Sequence, residues 1–176
     1  EWRMPPEPQW GWQEDHPVVN ISWEDANQYA TWAHAELPTE MQWEKAARGD
    51  DGRWWPWGND PDPTRCVNAT NATTTQPVGS RPEGDSPYGV QDMAGNIWEW
   101  CHAAPPAEYD RQPPRYAHRR PPAVSGHRVL RGGAWLCAYD AYLRCAYRSF
   151  DCDQHKGRGA YRRPTNGFRC VITEEP

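Results

Sequence analysis

A chain of 176 residues is long enough for one domain with a real core, and a net charge of -5 leaves no overall footprint for nucleic acid. Twelve Trp and 8 Tyr against 2 Phe, with 19 Pro, 14 Gly and a mean hydropathy of -1.05, exclude an architecture of long helices or continuous apolar strands. They predict a loop-rich domain with an aromatic core, its indole and phenol groups hydrogen-bonded at the edges. No stretch approaches membrane-spanning length, and no signal peptide is visible. The chain begins at Glu1, which predicts that a preceding segment has been removed. The compartment and the oligomeric state are therefore left open, surface display following if that segment was a leader or an anchor. Cys66, Cys101, Cys137, Cys145, Cys152 and Cys170 form neither a CxxC pair nor a zinc spacing, which argues against a structural zinc. Their even number permits disulfides without assigning them.

Residues 1–17, rich in Pro, Trp and Glu, read as an extended arm over the core. Val18-Val19-Asn20-Ile21 reads as a short strand. Ser22 with Asp25 then offers a hydroxyl cap and a first-turn acid, which predicts a helix from Trp23 to about Ala35. Leu37-Pro38 breaks it. Thr39-Glu40-Met41-Gln42 restarts a helix with a capping box, and Gly49 ends it. Trp54-Trp55-Pro56-Trp57-Gly58 is an aromatic turn that fills the core. Residues 60–87 are loop, and Gly95-Asn96 turns into a strand at Ile97-Trp98-Glu99-Trp100. A Pro-rich insertion covers 102–127, and its basic run reads as a solvated loop.

The last third is a strand-like frame carrying irregular inserts. Val129-Leu130, the break Gly132-Gly133, Leu143 to Arg148 and Gly167 to Ile172 form the frame, while 136–142 and 149–163 show no pattern. Rigid elements below and loops above are how a binding surface is commonly built. This face is predicted to be functional.

Asp15-His16-Pro17, Leu37-Pro38-Thr39-Glu40, Trp43-Glu44, Ala46-Ala47-Arg48-Gly49, Gly95-Asn96-Ile97-Trp98-Glu99-Trp100, Arg131-Gly132-Gly133-Ala134-Trp135 and Gly167-Phe168-Arg169 stand in an order that resembles the sulfatase-modifying-factor family. The resemblance implies an α+β fold of the C-type lectin type: short antiparallel strands, two helices and much irregular loop in a single domain over 1–176. Formylglycine-generating enzymes of this family oxidise a substrate cysteine with copper held by two thiolates. Here Cys137 takes the first place after the Gly-Gly motif, but Tyr142 stands at the second.

The chain also looks like the variable proteins of diversity-generating retroelements, whose C-terminal stretch on this fold is rewritten at adenines. Randomising an Asn codon in that way excludes Lys, Glu, Gln, Trp and Met, and 136–142 and 149–153 contain none of these. The expectation is a non-enzymatic binding domain with a variable face over about 131–170 and a protein ligand. The alternative is a copper oxidase of the formylglycine-generating type. The predicted binding residues are Trp135, Cys137, Tyr139, Asp140, Tyr142, Arg144, Tyr147, Ser149, Phe150, Asp151, Asp153, His155 and Tyr161. Stiff tyrosines would supply area and the acids specificity. No cofactor is required on this reading. The resemblance further implies structural calcium near Gly95, Ile97 and Glu99, with a second site at Asn68.

Overall fold

The computed structural model describes residues 4–102, 127–152 and 162–172. Two capped helices open the fold. Ser22 Oγ accepts the Asp25 N–H at 3.1 Å while Asp25 Oδ2 accepts the Ser22 N–H at 2.8 Å, so two of the free amides at the start of α1 (Trp23–Trp32) are satisfied. Helix α1 stops short of the expected Ala35 because His34 turns to a positive φ of 54°. Thr39 and Gln42 repeat the reciprocal cap at α2 (Glu40–Arg48), which Gly49 ends with φ 69°. The strand expected at 18–21 does not form. Asn20 has φ 58°, and its N–H donates to the Arg163 carbonyl at 3.0 Å, which leaves Val19 and Ile21 buried but out of any ladder.

Among the described residues four short strands, β1 (Trp98–Trp100), β2 (His127–Arg131), β3 (Ser149–Cys152) and β4 (Asn166–Gly167), form one sheet in the order β3-β2-β1-β4. Strand β2 runs antiparallel to both neighbours, pairing Trp100 with Leu130 and Val129 with Phe150. Strand β4 lies parallel to β1, so the sheet is mixed rather than wholly antiparallel. No hairpin joins β1 to β4, and their relative direction is free of a tight turn's constraint.

The frame expected at 143–148 is not a strand. A 3-10 turn over Asp140–Leu143 leads into a bent segment, and the strand paired with β2 comes from the stretch that showed no pattern. Arg131 explains the difference. Its guanidinium donates to the carbonyls of Cys145 (2.8 Å) and Tyr147 (3.1 Å), so a side chain, not a ladder, holds this backbone.

The core has three parts. Ala26 and Ala30 of α1 pack with Ile21, Leu37, Trp100 and Leu130, the two alanines letting the helix approach the sheet closely. Trp43 and Ala47 of α2 pack with Met93, Cys101, Val129 and Cys145. Trp55, Cys66, Ala94, Ala134, Cys137 and Leu143 fill the space beneath the Gly-Gly turn. Buried indoles find polar partners as the composition implied: Trp100 Nε1 donates to the Ile21 carbonyl at 3.3 Å and Trp43 Nε1 to Glu99 at 2.6 Å.

Candidate functional site

Gly132 and Gly133 turn the chain out of β2 with φ of 95° and 81°, conformations that L side chains rarely adopt. A Cβ on Gly133 would lie 2.7 Å from Leu143 Cδ2 and 3.0 Å from the Tyr142 carbonyl. The turn is thus the seat on which the 139–147 segment rests. Arg131, fully buried, holds that segment from the other side and ties it to α2 through Glu44 (2.6 Å) and Glu40 (3.2 Å). Arg148 adds a second ion pair to Glu40.

So held, the segment opens a cavity of about 310 Å³ lined by Trp98, Leu136, Cys137, Ala138, Tyr139, Tyr142, Tyr147 and Ser149. Its aromatic rings touch in series. Trp98 and Tyr147 lie 5.9 Å apart between centroids, Tyr147 and Tyr142 5.0 Å, and Tyr142 and Tyr139 5.7 Å. Tyr139 is 68% exposed at the rim, while Tyr142 and Tyr147 are half-buried. Large, stiff rings at an open cavity suit recognition at small entropic cost.

Of the predicted binding residues, the structure brings Cys137, Tyr139, Tyr142, Tyr147 and Ser149 to this cavity. Trp135 points its indole N–H at the Pro164 carbonyl (3.3 Å) and packs edge-on against Trp10, away from the cavity walls. Arg144 stacks on Trp54 at 4.2 Å and Trp55 at 5.3 Å. Asp140 is exposed, its carbonyl accepting from Trp55 Nε1 at 3.3 Å. Phe150 packs into the core beside Val129, since alternation on β3 sends it opposite Ser149. Asp151 pairs with Arg128 through the β3 backbone. Asp153, His155 and Tyr161 lie outside the described residues.

Trp98, Leu136 and Ala138 are the cavity residues that sequence reasoning missed. The signal for the last two was their adjacency to Cys137 in the same insert. Nothing local marks Trp98, because β1 and the insert meet only in the fold.

The residues singled out for calcium are engaged internally. Both Glu99 oxygens take the Arg169 guanidinium fork at 2.6 Å, and Trp43 shares one of them. Asn68 Oδ1 accepts from the Thr70 N–H (2.9 Å) and hydroxyl (2.6 Å), while its Nδ2 donates to the Pro63 carbonyl at 2.7 Å. The Gly95 carbonyl accepts the Ile97 N–H at 2.8 Å, and Ile97 is buried. Among the described residues no group of three or more His, Cys, Asp or Glu converges to hold a metal.

Cys66, Cys101, Cys137, Cys145 and Cys170 are free thiols. Burial pushes Cys66 up to about 11 against the opposing effect of Asn68, and Cys145 up to about 12. Cys101 and Cys137 are raised for the same reason, although the Ala134 N–H donates to Cys137 Sγ at 3.3 Å and moderates the second. These are the environments of packed, protonated thiols.

Two capped helices, a small mixed sheet and a Gly-Gly turn carrying a loop-built cavity define a C-type lectin-like domain. Solved structures of the same fold include PvdO from Pseudomonas aeruginosa (TM-score 0.71, 22% identity, 92% of this chain and 64% of that one). Treponema denticola variable protein 1 is another (TM-score 0.61, 19% identity, 94% and 74%). The model of the sulfatase-modifying factor enzyme 1-like domain matches residues 1–174, and the chain belongs to that family.

The formylglycine-generating enzyme of Thermomonospora curvata is 38% identical over 89% of this chain and 55% of its own length. That of Streptomyces coelicolor is 39% identical over 89% and 52%. The hercynine oxygenase of Mycolicibacterium smegmatis is 36% identical over 78% and 34%. The chain therefore spans about half the length of the formylglycine-generating relatives. These enzymes overturn the expectation of a non-enzymatic protein. That expectation gave decisive weight to one replaced thiol, whereas 89% of the chain aligns at 38–39% identity with proteins named for catalysis.

Among the described residues no helix is long and apolar enough to cross a membrane.

Proposed function

We propose that the cavity beside Cys137 is the polypeptide-binding site of a formylglycine-generating-type domain. The observation that carries this reading is the convergence of Trp98, from β1, with Tyr139, Tyr142 and Tyr147, from a remote loop, on one open cavity of about 310 Å³. That volume is at the lower end for ligand pockets and suits one or two side chains of an extended segment. Leu136 and Tyr139, both exposed at the rim, would carry the flanking residues. The relatives named formylglycine-generating enzymes favour a ligand that presents a cysteine.

The copper chemistry implied by the resemblance needs two thiolates at one point. Among the described residues Cys137 is the one thiol in the cavity wall, and Tyr142 fills the second place. Cys66 and Cys145 are buried thiols pushed to about 11 and 12, which disfavours their ionised form. The described thiols therefore do not fit a two-thiolate copper centre of that spacing. The chain's own residues would bind a ligand and orient it against the aromatic wall.

A second reading, a diversified face for protein ligands, is favoured by the composition of 136–142 and the exposure of Leu136, Ala138, Tyr139 and Asp140. Both readings place the ligand in the same cavity, and one experiment separates them. A displayed library of random cysteine-containing peptides is selected on the immobilised chain and on Tyr139→Ala. A consensus that enriches on the first and is lost on the second is expected. No consensus, or one indifferent to Tyr139→Ala, refutes the site. Selected peptides are then incubated with copper(I) and oxygen. Aldehyde trapped by a hydrazide supports the oxidase, and retained binding without aldehyde supports the diversified face.

A further inference from the structure

Among the described residues arginines commonly hold an acid, as Arg53 holds Asp51 and Arg169 holds Glu99, each at 2.6 Å. Arg144 holds none. Its guanidinium lies 4.2 Å from the centre of the Trp54 ring and 5.3 Å from that of Trp55, and among the described residues no carboxylate or carbonyl accepts from it. Its Nε is buried without a partner, so the open edge of the half-buried side chain is that of its two terminal nitrogens. Arg128 is in the same state 4.0 Å above Trp23, but Trp23 packs on the part of the core beneath α1.

Trp55 belongs instead to the part of the core beneath the cavity. It packs in one cluster with Cys137 and Leu143, against which Tyr142 also lies, and its indole N–H donates to the Asp140 carbonyl at 3.3 Å. The Cys145 N–H donates to the Trp54 carbonyl at 2.8 Å and ties the aromatic turn to the loop. Arg144 thus stands beside the cavity, two residues along the chain from Tyr142.

Stacking fixes the guanidinium plane before a ligand arrives, so little side-chain freedom remains to be lost when its terminal N–H groups meet an acceptor. The buried Nε leaves the group poorly hydrated, which makes a charged acceptor worth more here than at an arginine in open water. A carboxylate matches the planar fork with two parallel bonds. A neutral amide offers one oxygen and an NH2 group that the guanidinium cannot accept. The net charge of -5 repels acids at long range, so a preference for one has to come from this contact.

We infer that Arg144 is a second docking point of the polypeptide ligand and takes the carboxylate of an Asp or Glu side chain. The assignment rests on reading the cavity as the polypeptide site and specifies a second residue of what binds there.

The test selects the cysteine-containing library on the whole chain, on Arg144→Gln and on Arg144→Glu. An Asp or Glu at a fixed distance from the residue that depends on Tyr139 is expected on the unaltered chain. It should disappear on Arg144→Gln and give way to Lys or Arg on Arg144→Glu, a reversal that a merely structural role would not produce. The selected peptide, acetylated and amidated at its ends, is then titrated calorimetrically into the unaltered chain beside its isostere with Asn or Gln in place of the acid. The isostere is expected to bind about tenfold more weakly, and this comparison holds even where an Arg144 variant fails to fold. Equal affinity of the two peptides, or an acid enriched equally on Arg144→Gln, overturns the inference. A consensus that depends on Tyr139 but contains no acid also overturns it and leaves the cavity reading standing, whereas the absence of any consensus removes both.

Discussion

Replacing Arg131 by Met should loosen the 139–147 segment from the fold and abolish the cavity. The guanidinium is fully buried and sits 5.1 Å above the Trp43 ring. It makes four hydrogen bonds, to Glu40, Glu44, and the carbonyls of Cys145 and Tyr147. Breaking a buried ion pair by removing one partner costs about 3–5 kcal/mol. Here Glu44 keeps Arg48 at 3.0 Å and Glu40 keeps Arg148, so neither acid is left bare. The lower end, about 3 kcal/mol, is expected, and for a chain of this size it corresponds to a fall in Tm of roughly 6–12 °C. Arg131→Lys keeps the charge but not the planar fork, and should fall between Met and the wild type. Thermal unfolding followed by near-ultraviolet circular dichroism measures both. A Tm for Arg131→Met within about 2 °C of wild type would refute the claim that this side chain holds the segment.

Three further outcomes follow from the same geometry. Gly133→Ala forces a side chain into a positive φ against Leu143 and the Tyr142 carbonyl, and should cost about 2 kcal/mol or more by urea unfolding. Burial raises the Asp92 carboxyl despite the Gly79 N–H donating to it at 2.7 Å, so the native state holds this proton more tightly than the unfolded chain does. Its contribution to stability is therefore greatest below the unfolded value of 3.8 and is lost as pH rises through the raised one. Asp92→Asn, which keeps the acceptor and tolerates the φ of 55°, should raise Tm at pH 7 relative to wild type, the gap closing near pH 3 when scans are compared. Among the described thiols, iodoacetamide at pH 8 should modify the partly exposed Cys170 first, and Cys66, Cys101, Cys137 and Cys145 only on unfolding, as peptide mass mapping would show.

Local chemistry made the helices legible. The caps at Ser22 and Thr39 and the Gly49 stop act within a few residues, and the structure keeps all three. The sheet was only partly legible, because its register depends on contacts between remote stretches. Ser149–Cys152 alternates polar and apolar residues over only four positions, too short a run to stand out, and it pairs with β2 since the 143–148 backbone is already taken by Arg131. The apolar run at 18–21 failed as a strand because Asn20 diverts its backbone to Arg163. The aromatic insert pointed to the right face, but Trp98 could not be foreseen on it. Trp135 and Phe150 looked like surface aromatics and serve packing instead. The single replaced thiol at Tyr142 said less about the class of protein than the motifs along the rest of the chain did.

The most direct measurement is fluorine NMR of the chain carrying 3-fluorotyrosine, with Tyr139, Tyr142 and Tyr147 assigned by single Phe substitutions, during titration with the peptide enriched in the library selection. Saturable shifts of those three resonances, with Tyr29 and Tyr88 unmoved, are the predicted result. Shifts confined to Tyr29 or Tyr88, or none at a saturating peptide concentration, would contradict a ligand site at the Gly-Gly turn.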